Sequence, residues 1–204
     1  MDVRGAILAG GPATRFEGRP KGLELVGGVR ILDRLVATFE AAFGAPPLLV
    51  ANAPEASGWR PGLRVVADIM AGSGPVIGLY SAVLAAPAPV VCVAWDMPFV
   101  TAPLLRALAQ ELSGADACLP ESGGPRGLEP LCAAYGPAAG PAIAAALAAG
   151  DFRAVGFHDR IKVGILSSER VRTFGDPAAL FFNVNTADDL AEADRLWRTH
   201  ASSR

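Results

Sequence analysis

The sequence predicts an α/β protein in which helices cover both faces of a mainly parallel β-sheet, giving three α/β/α layers. Short apolar runs of strand length alternate with segments of helical periodicity along most of the chain. The run at 90–94, Val-Val-Cys-Val-Ala, is apolar throughout, which is typical of a strand covered on both faces. Because β-α-β units are joined by right-handed crossovers, this alternation favours parallel strands between two helical layers.

The first half of the chain supplies the run at 90–94 and five earlier predicted elements. Residues 3–8 form an apolar opening strand that leads into a pair of glycines. The segment 31–42 is predicted to be helical, because its apolar side chains recur on one side at helical spacing. Short apolar strands follow at 48–51 and 63–66, and glycines with a proline then break the chain before a helix at 76–86.

The second half continues the same alternation. A helix follows Pro103 and extends to residue 112. Apolar strands are expected at 117–119, 131–135 and 162–166, with an alanine-rich helix at 141–149. The sequence thus predicts at least seven strands and a helix in most of the connections between them.

The composition fits one domain over residues 1–204, with a tail at 199–204 that we expect to fray. Apolar residues make up 51% of the chain and charged residues 19%, so enough apolar surface is present to offset chain entropy. The formal charge of −2 comes from 18 basic and 20 acidic side chains, which argues against a broad basic face for nucleic acid. We expect no membrane span, because no uninterrupted apolar stretch reaches about eighteen residues.

Three isolated cysteines predict buried free thiols rather than a zinc site. Cys92, Cys118 and Cys132 each lie in an apolar run, with no C-x-x-C pair and no histidine nearby. The N-terminus carries Asp2 and Arg4 ahead of only a short apolar run, which is not typical of a signal peptide. We therefore expect the reducing cytoplasm as the compartment.

A glycine-rich run directly after the first strand predicts a phosphate cradle. The glycines Gly10 and Gly11 let backbone N–H groups approach a phosphate, and Arg15 and Lys21 add positive charge nearby. The run is neither the dinucleotide motif G-x-G-x-x-G nor the P-loop motif G-x-x-x-x-G-K-S/T. The alternative is a glycine-rich turn with two solvated basic residues. The position at the carboxyl end of a strand, where parallel sheets bind ligands, favours the cradle.

Two aspartates follow other strands at the same predicted edge. Asp96 comes just after the strand 90–94 and is placed to hold Mg²⁺ together with substrate phosphates; its alternative role is to cap a turn. Asp68 follows the strand 63–66 and could meet a base or a ribose, with a turn role as the alternative. Asn52 follows the strand 48–51 and is expected at the edge of the same pocket.

A late Asn-Val-Asn-Thr motif precedes the last predicted helix. Asn183 and Asn185 are two residues apart, so an extended backbone directs both amides to one side, where they could bind a second substrate. The alternative is that they satisfy backbone groups at the helix start. For Thr186 we favour the role of helix N-cap, with Asp188 and Asp189 at the positive end of the helix dipole.

These motifs together resemble those of the molybdenum cofactor guanylyltransferases, which are nucleotidyltransferases with a Rossmann-like sheet. The family opening L-A-G-G-x-x-x-R-M-G-G-x-D-K-G is similar to L-A-G-G-P-A-T-R-F-E-G-R-P-K-G at 8–22. Within it, Glu17 stands where the family usually has Gly, and Pro20 where it usually has Asp. The family motifs G-P-L-x-G, D-x-P-F and N-x-N-T-x-x-D-L are similar to the segments 74–78, 96–99 and 183–190.

The resemblance covers nearly the whole chain and implies a set of site residues. It implies GTP contacts at Leu8, Ala9, Gly10, Lys21, Asn52 and Asp68. It also implies that Asp96 contacts the nucleotide and is the ligand of Mg²⁺. With Arg15 and Lys21 stabilising the reacting phosphates, these three charged residues are the candidate catalytic set.

The function implied by the resemblance is Mg²⁺-dependent transfer of GMP from GTP to molybdopterin, with release of pyrophosphate. It also implies molybdoenzyme maturation proteins as partners, while the charge balance and the short apolar runs predict neither nucleic acid nor membrane as a partner. One alternative is another nucleotidyltransferase, making a cytidylyl or sugar nucleotide; cytidylyl relatives tend to show L-A-A-G rather than Leu8-Ala9-Gly10-Gly11. A second is a non-catalytic nucleotide-binding module, which the presence of Lys21 and Asp96 disfavours.

Overall fold

The computed structural model describes residues 2–10, 20–70, 74–123 and 127–201, with side chains up to residue 199. The strands within these ranges are β1 (Arg4–Leu8), β2 (Leu25–Val26), β3 (Val29–Arg30), β4 (Leu48–Val50), β5 (Val65–Val66), β6 (Val90–Ala94), β7 (Ala117–Pro120), β8 (Cys132–Tyr135) and β9 (Val163–Leu166). The helices are α1 (Ile31–Phe43), α2 (Ala56–Trp59), α3 (Pro75–Ala85), α4 (Ala102–Glu111), α5 (Ala139–Ala148), α6 (Ser168–Arg172), α7 (Pro177–Leu180) and α8 (Ala187–Ala201).

The main sheet has seven strands in the order β5-β4-β1-β6-β8-β7-β9. Its strands are parallel except β8, which runs antiparallel to both β6 and β7. The register sets Leu8 of β1 opposite Val50 of β4 on one side and Ala94 of β6 on the other. Three neighbouring strands therefore end at the same level, and the chain leaves the sheet three times within one small region.

Helices cover both faces of this sheet, which confirms the predicted three layers. One face packs on α1 and α4, and alternate strand residues such as Ile7, Leu49 and Val91 point toward them. The opposite face packs on α3 and α5, with Val50 and Cys92 among the residues that point that way. Full burial of a Val, Leu or Ile side chain stabilises the fold by about 1.5–3 kcal/mol relative to its exposure.

The predicted element boundaries agree with the structure to within a few residues, with physical reasons for the differences. The strand expected at 63–66 shrinks to its last two residues, because only Val65 and Val66 pair with β4. Helix α4 begins one residue before Pro103, since proline is accepted in the first turn, where no helical N–H is needed. Helices α2, α6 and α7 are too short to give a periodic signal, and neither they nor the separate β2–β3 hairpin were predicted.

The cysteine prediction is confirmed. Cys92, Cys118 and Cys132 are free and buried. Burial raises the pKa of the Cys118 thiol to about 11 and moves the pKa values of Cys92 and Cys132 further upward. These thiols therefore stay protonated and serve as small apolar side chains. Within the described ranges, no helix combines the length and the apolar character needed to cross a membrane.

Helix α1 approaches β1 closely at Gly5, and this contact predicts a stability effect. A Cβ added at Gly5 would lie 2.3 Å from Cδ1 of Phe39, which is fully buried. We expect Gly5→Ala to lower the free energy of unfolding by about 1–3 kcal/mol, because overpacking forces backbone or side-chain shifts. Urea denaturation followed by circular dichroism measures the change.

Gly58→Ala is the matched control, because a Cβ at Gly58 would meet nothing within 4 Å. This control should leave the stability nearly unchanged. Equal losses in both variants would contradict the packing argument.

Candidate functional site

A cavity of about 660 Å³ opens where β1, β4 and β6 end. Its size lies in the range of small-molecule sites in proteins. The strand ends Leu8, Val50 and Ala94 line it, as their shared register requires. The ligand site that the sequence analysis expected at the carboxyl edge of the sheet therefore coincides with a real concavity.

Most of the predicted site residues meet in or beside this cavity. The following predicted residues line it: Leu8, Ala9, Gly10, Asn52, Asp68, Asp96 and Asn183. Lys21 reaches Asp96, and Asn185 reaches Lys21. Gly11 and Arg15 lie outside the described residues.

An ion pair joins the loop after β1 to the loop after β6. Nζ of Lys21 lies 3.1 Å from Oδ2 of Asp96, and the two side chains are only 12% and 13% exposed. Oδ1 of Asp96 is buried and receives no hydrogen bond from any residue that the structure describes. A buried carboxylate oxygen without a partner is costly unless a ligand satisfies it, so this atom is a candidate ligand for a cation.

The segment before α8 completes the same cluster. Oδ1 of Asn185 accepts a hydrogen bond of 2.7 Å from Nζ of Lys21, across 164 residues of chain. The backbone N–H of Val184 donates to the backbone carbonyl of Asp96 at 2.9 Å. Late and early parts of the sequence are thereby held together at the cavity edge.

The start of α8 follows the expected capping pattern. Oγ1 of Thr186 accepts from the backbone N–H of Asp189 at 3.1 Å, which confirms Thr186 as the N-cap. Oδ2 of Asp189 accepts in return from the N–H of Thr186 at 2.8 Å and from that of Asn185 at 2.9 Å. This reciprocal arrangement resembles a capping box and fixes the backbone that carries Asn185.

A second polar cluster lies on the other side of the cavity. Asn52 donates from Nδ2 to Oδ2 of Asp68 at 2.6 Å, and its Oδ1 accepts from the backbone N–H of Asp68 at 2.8 Å. Ser81 on α3, only 2% exposed, accepts from the N–H of Ile69 at 2.9 Å. Both contacts hold the loop that carries Asp68. Ser81 was not predicted as a site residue, and its only signal in the sequence is a serine inside an otherwise apolar helix.

Two tryptophans support the loop that carries Lys21, and the sequence analysis assigned neither a role. The rings of Trp59 and Trp95 stack at 5.1 Å with an angle of 25° between their planes. A Cβ added at Gly22 would lie 2.3 Å from Cε3 of Trp95, so the turn after Lys21 rests directly on this indole. Because the three residues are far apart in the chain, only the fold discloses their contact.

Glu129 adds a second carboxyl group near Asp96. Burial raises the pKa of Glu129, and the negative charge of Asp96 raises it further. The backbone N–H of Leu131 donates to Oε1 of Glu129 at 3.2 Å, and this hydrogen bond lowers the pKa in part. The negative charge of Asp96 therefore makes it harder to ionise the nearby carboxyl group of Glu129. Within the described part of the chain, no three His, Cys, Asp or Glu side chains form a metal-binding group.

Comparison with known proteins identifies the class of this fold and site. The family model of the MobA-like NTP transferase domain matches residues 5–161. The chain belongs to this family and is therefore a nucleotidyltransferase.

Individual relatives agree with that assignment. The chain is 35% identical to a probable molybdenum cofactor guanylyltransferase of Pelotomaculum thermopropionicum, over 95% of this chain and 92% of the relative. A molybdenum cofactor guanylyltransferase of Desulfosudis oleivorans is 27% identical over 94% of both chains. The resemblance that the motifs indicated is thereby confirmed.

Solved structures extend the comparison to the fold. The molybdopterin-guanine dinucleotide biosynthesis protein A of Archaeoglobus fulgidus superposes with a TM-score of 0.81 at 26% identity, covering 96% of this chain and 99% of that one. The 2-C-methyl-D-erythritol 4-phosphate cytidylyltransferase of Thermus thermophilus gives a TM-score of 0.68 at 21% identity, covering 97% and 100%. The second likeness shows the shared fold alone.

The contact between Gly22 and Trp95 predicts how the Lys21 turn responds to an added methyl group. We expect Gly22→Ala to lower the free energy of unfolding by about 1–3 kcal/mol, because the indole is confined between the turn and Trp59. Urea unfolding followed by tryptophan fluorescence measures the loss. In a Trp95→Leu background the added methyl group has more room, so the same substitution should cost less. An equal cost in both backgrounds would show that this contact is not the cause.

Proposed function

We propose that this protein transfers the GMP moiety of GTP to a molybdopterin-type acceptor and releases pyrophosphate. The observation that carries the proposal is the largely buried Lys21–Asp96 pair, whose carboxylate lines the cavity, in a chain that matches guanylyltransferases over nearly its whole length. A positive side chain and a carboxylate at one strand edge provide what a nucleoside triphosphate with its cation requires.

The reaction requires positioning more than proton transfer. A phosphate oxygen of the acceptor attacks the α-phosphorus of GTP, a new P–O bond forms, and the bond to the β-phosphate oxygen breaks. The attacking phosphate is already an anion near neutral pH, so no general base is needed. The protein must align the two reactants and stabilise the charge that develops on the phosphates.

The chain's own residues divide this work between the two sides of the cavity. Backbone N–H groups at Gly10 would approach the phosphates, and Lys21 would stabilise their negative charge, aided by Arg15. Asn52 and Asp68 would contact the guanosine part, since their mutual hydrogen bonds hold them at the cavity wall. Asn183 and Asn185 would face the acceptor.

Asp96 is the residue that fits a Mg²⁺ ion. Its Oδ1 atom is buried and unpartnered among the described residues. Mg²⁺ needs only one or two carboxylates when substrate phosphates supply further ligands, so a single aspartate at this edge is compatible with a site shared with the nucleotide. When bound there, Mg²⁺ would neutralise phosphate charge and polarise the α-phosphorus.

The nucleotide preference is tested by thermal stability in the presence of each of the four nucleoside triphosphates with Mg²⁺. We expect GTP to raise the melting temperature most, because the relatives of this chain are guanylyltransferases. A ligand that binds only the folded state stabilises it by about 2.7 kcal/mol at one hundred times its Kd. Omitting Mg²⁺ is the control for the role of the cation. A larger shift with CTP or ATP would overturn the assignment of GTP, and no shift with any nucleotide would overturn the proposed site.

Asp96→Asn separates a metal ligand from a turn residue. Asparagine keeps the shape and the turn-forming capacity of aspartate but lacks the negative charge that Mg²⁺ prefers. We expect the variant to fold and to lose transfer activity by about 10²–10³-fold, a loss similar to that of one electrostatic contact to a transition state. A discontinuous assay of pyrophosphate release at several Mg²⁺ concentrations measures it.

The exposed Asp159 provides the matched control, because it lies outside the residues that line the cavity. Asp159→Asn should keep normal activity. Normal activity of Asp96→Asn at limiting Mg²⁺ would instead leave Asp96 with a purely architectural role.

A further inference from the structure

Asn185 contacts Lys21, the residue that the proposed function assigns to the nucleotide phosphates. Its amide oxygen accepts from Nζ of Lys21 at 2.7 Å, which is shorter than the 3.1 Å ion pair between Lys21 and Asp96. The neighbouring Asn183 behaves differently, since its amide nitrogen donates to the backbone carbonyl of Phe181 at 2.9 Å. The two asparagines of one motif thus have different partners.

Asn185 is itself held firmly. Its backbone N–H donates to Oδ2 of Asp189 at 2.9 Å in the cap of α8. The preceding residue, Val184, is fully buried and donates its N–H to the carbonyl of Asp96 at 2.9 Å. The amide oxygen is therefore presented from a backbone that is fixed on both sides.

Two contacts to residues that the structure describes hold the ammonium group of Lys21 in a defined position. An ammonium group has three N–H donors, and Asp96 and Asn185 accept from two of them. The side chain is only 12% exposed, so the remaining donor has little freedom of direction. A long lysine side chain held in this way loses less conformational entropy when it binds a phosphate.

We infer that Asn185 is a positioning residue for Lys21, whose amide oxygen orients the ammonium group toward the phosphates of the nucleotide. The inference rests on the proposed function and deepens it, because it makes a residue of the last segment part of nucleotide binding. The contact uses only the amide oxygen, and the NH₂ group of Asn185 makes no hydrogen bond to the described residues, so it can bind the acceptor. The same side chain would then connect the two substrates.

The test is GTP affinity measured without any acceptor, by isothermal titration calorimetry with Mg²⁺. We expect Asn185→Ala to weaken GTP binding roughly tenfold, since a hydrogen bond to a charged group is lost and the lysine regains freedom. Alanine keeps the backbone N–H that Asp189 caps, so the fold should persist, as circular dichroism and the melting temperature check. Asn185→Ser also removes the amide oxygen that accepts from Lys21, so it should weaken GTP binding in the same direction.

Two comparisons make the result specific to Lys21. Asp159→Asn changes an exposed residue outside the cavity lining and should leave GTP affinity unchanged. In a Lys21→Ala background, Asn185→Ala should have no further effect, because the residue that it positions is already gone. Additive losses in the double variant would overturn the positioning role.

The outcomes separate the inference from the proposed function. If the wild-type protein binds GTP and the Asn185 variants bind it equally well, Asn185 serves only the acceptor and the inference is wrong. If the wild-type protein binds no GTP, the proposed function fails, and the inference fails with it.

Discussion

The site depends on one constraint, which is that β1, β4 and β6 end at the same level of the sheet. Parallel pairing places Leu8 between Val50 and Ala94, so three loops leave the sheet side by side. Backbone hydrogen bonds and two apolar layers fix this register, because a shift of one residue would turn every core side chain to the wrong face. Asn52 and Asp96 each lie two residues beyond a strand end, so both reach the same cavity.

Packing beneath the loops then determines where the charges lie. The turn that carries Lys21 rests on Trp95, which stacks on Trp59, and this support leaves room only for glycine at position 22. On the opposite side, Ser81 and Asn52 hold the loop of Asp68. Stacked tryptophan rings support the turn that carries the cation Lys21, whereas hydrogen bonds to polar side chains hold the loop that carries the carboxylate Asp68.

A positive and a negative side chain lie in contact at this edge of the sheet. Lys21 is paired with Asp96, yet one oxygen of that carboxylate stays buried without a described partner. An incompletely satisfied polar group of this kind costs stability, and binding sites retain such groups because a ligand completes them. The last segment of the chain, fixed by the cap of α8, closes this cluster through Asn185.

The sequence by itself determined the layers, most strand and helix positions, the buried thiols and the loops that carry the site. Apolar periodicity and glycine placement are local signals, and the end of a parallel strand is a reliable place for ligands. Only the tertiary structure decided that Lys21 bonds to Asn185, that Trp95 lies under Gly22 and that Ser81 holds the loop of Asp68. These contacts join residues far apart in the chain, and their partners are set by how helices pack on the sheet, which no local pattern encodes.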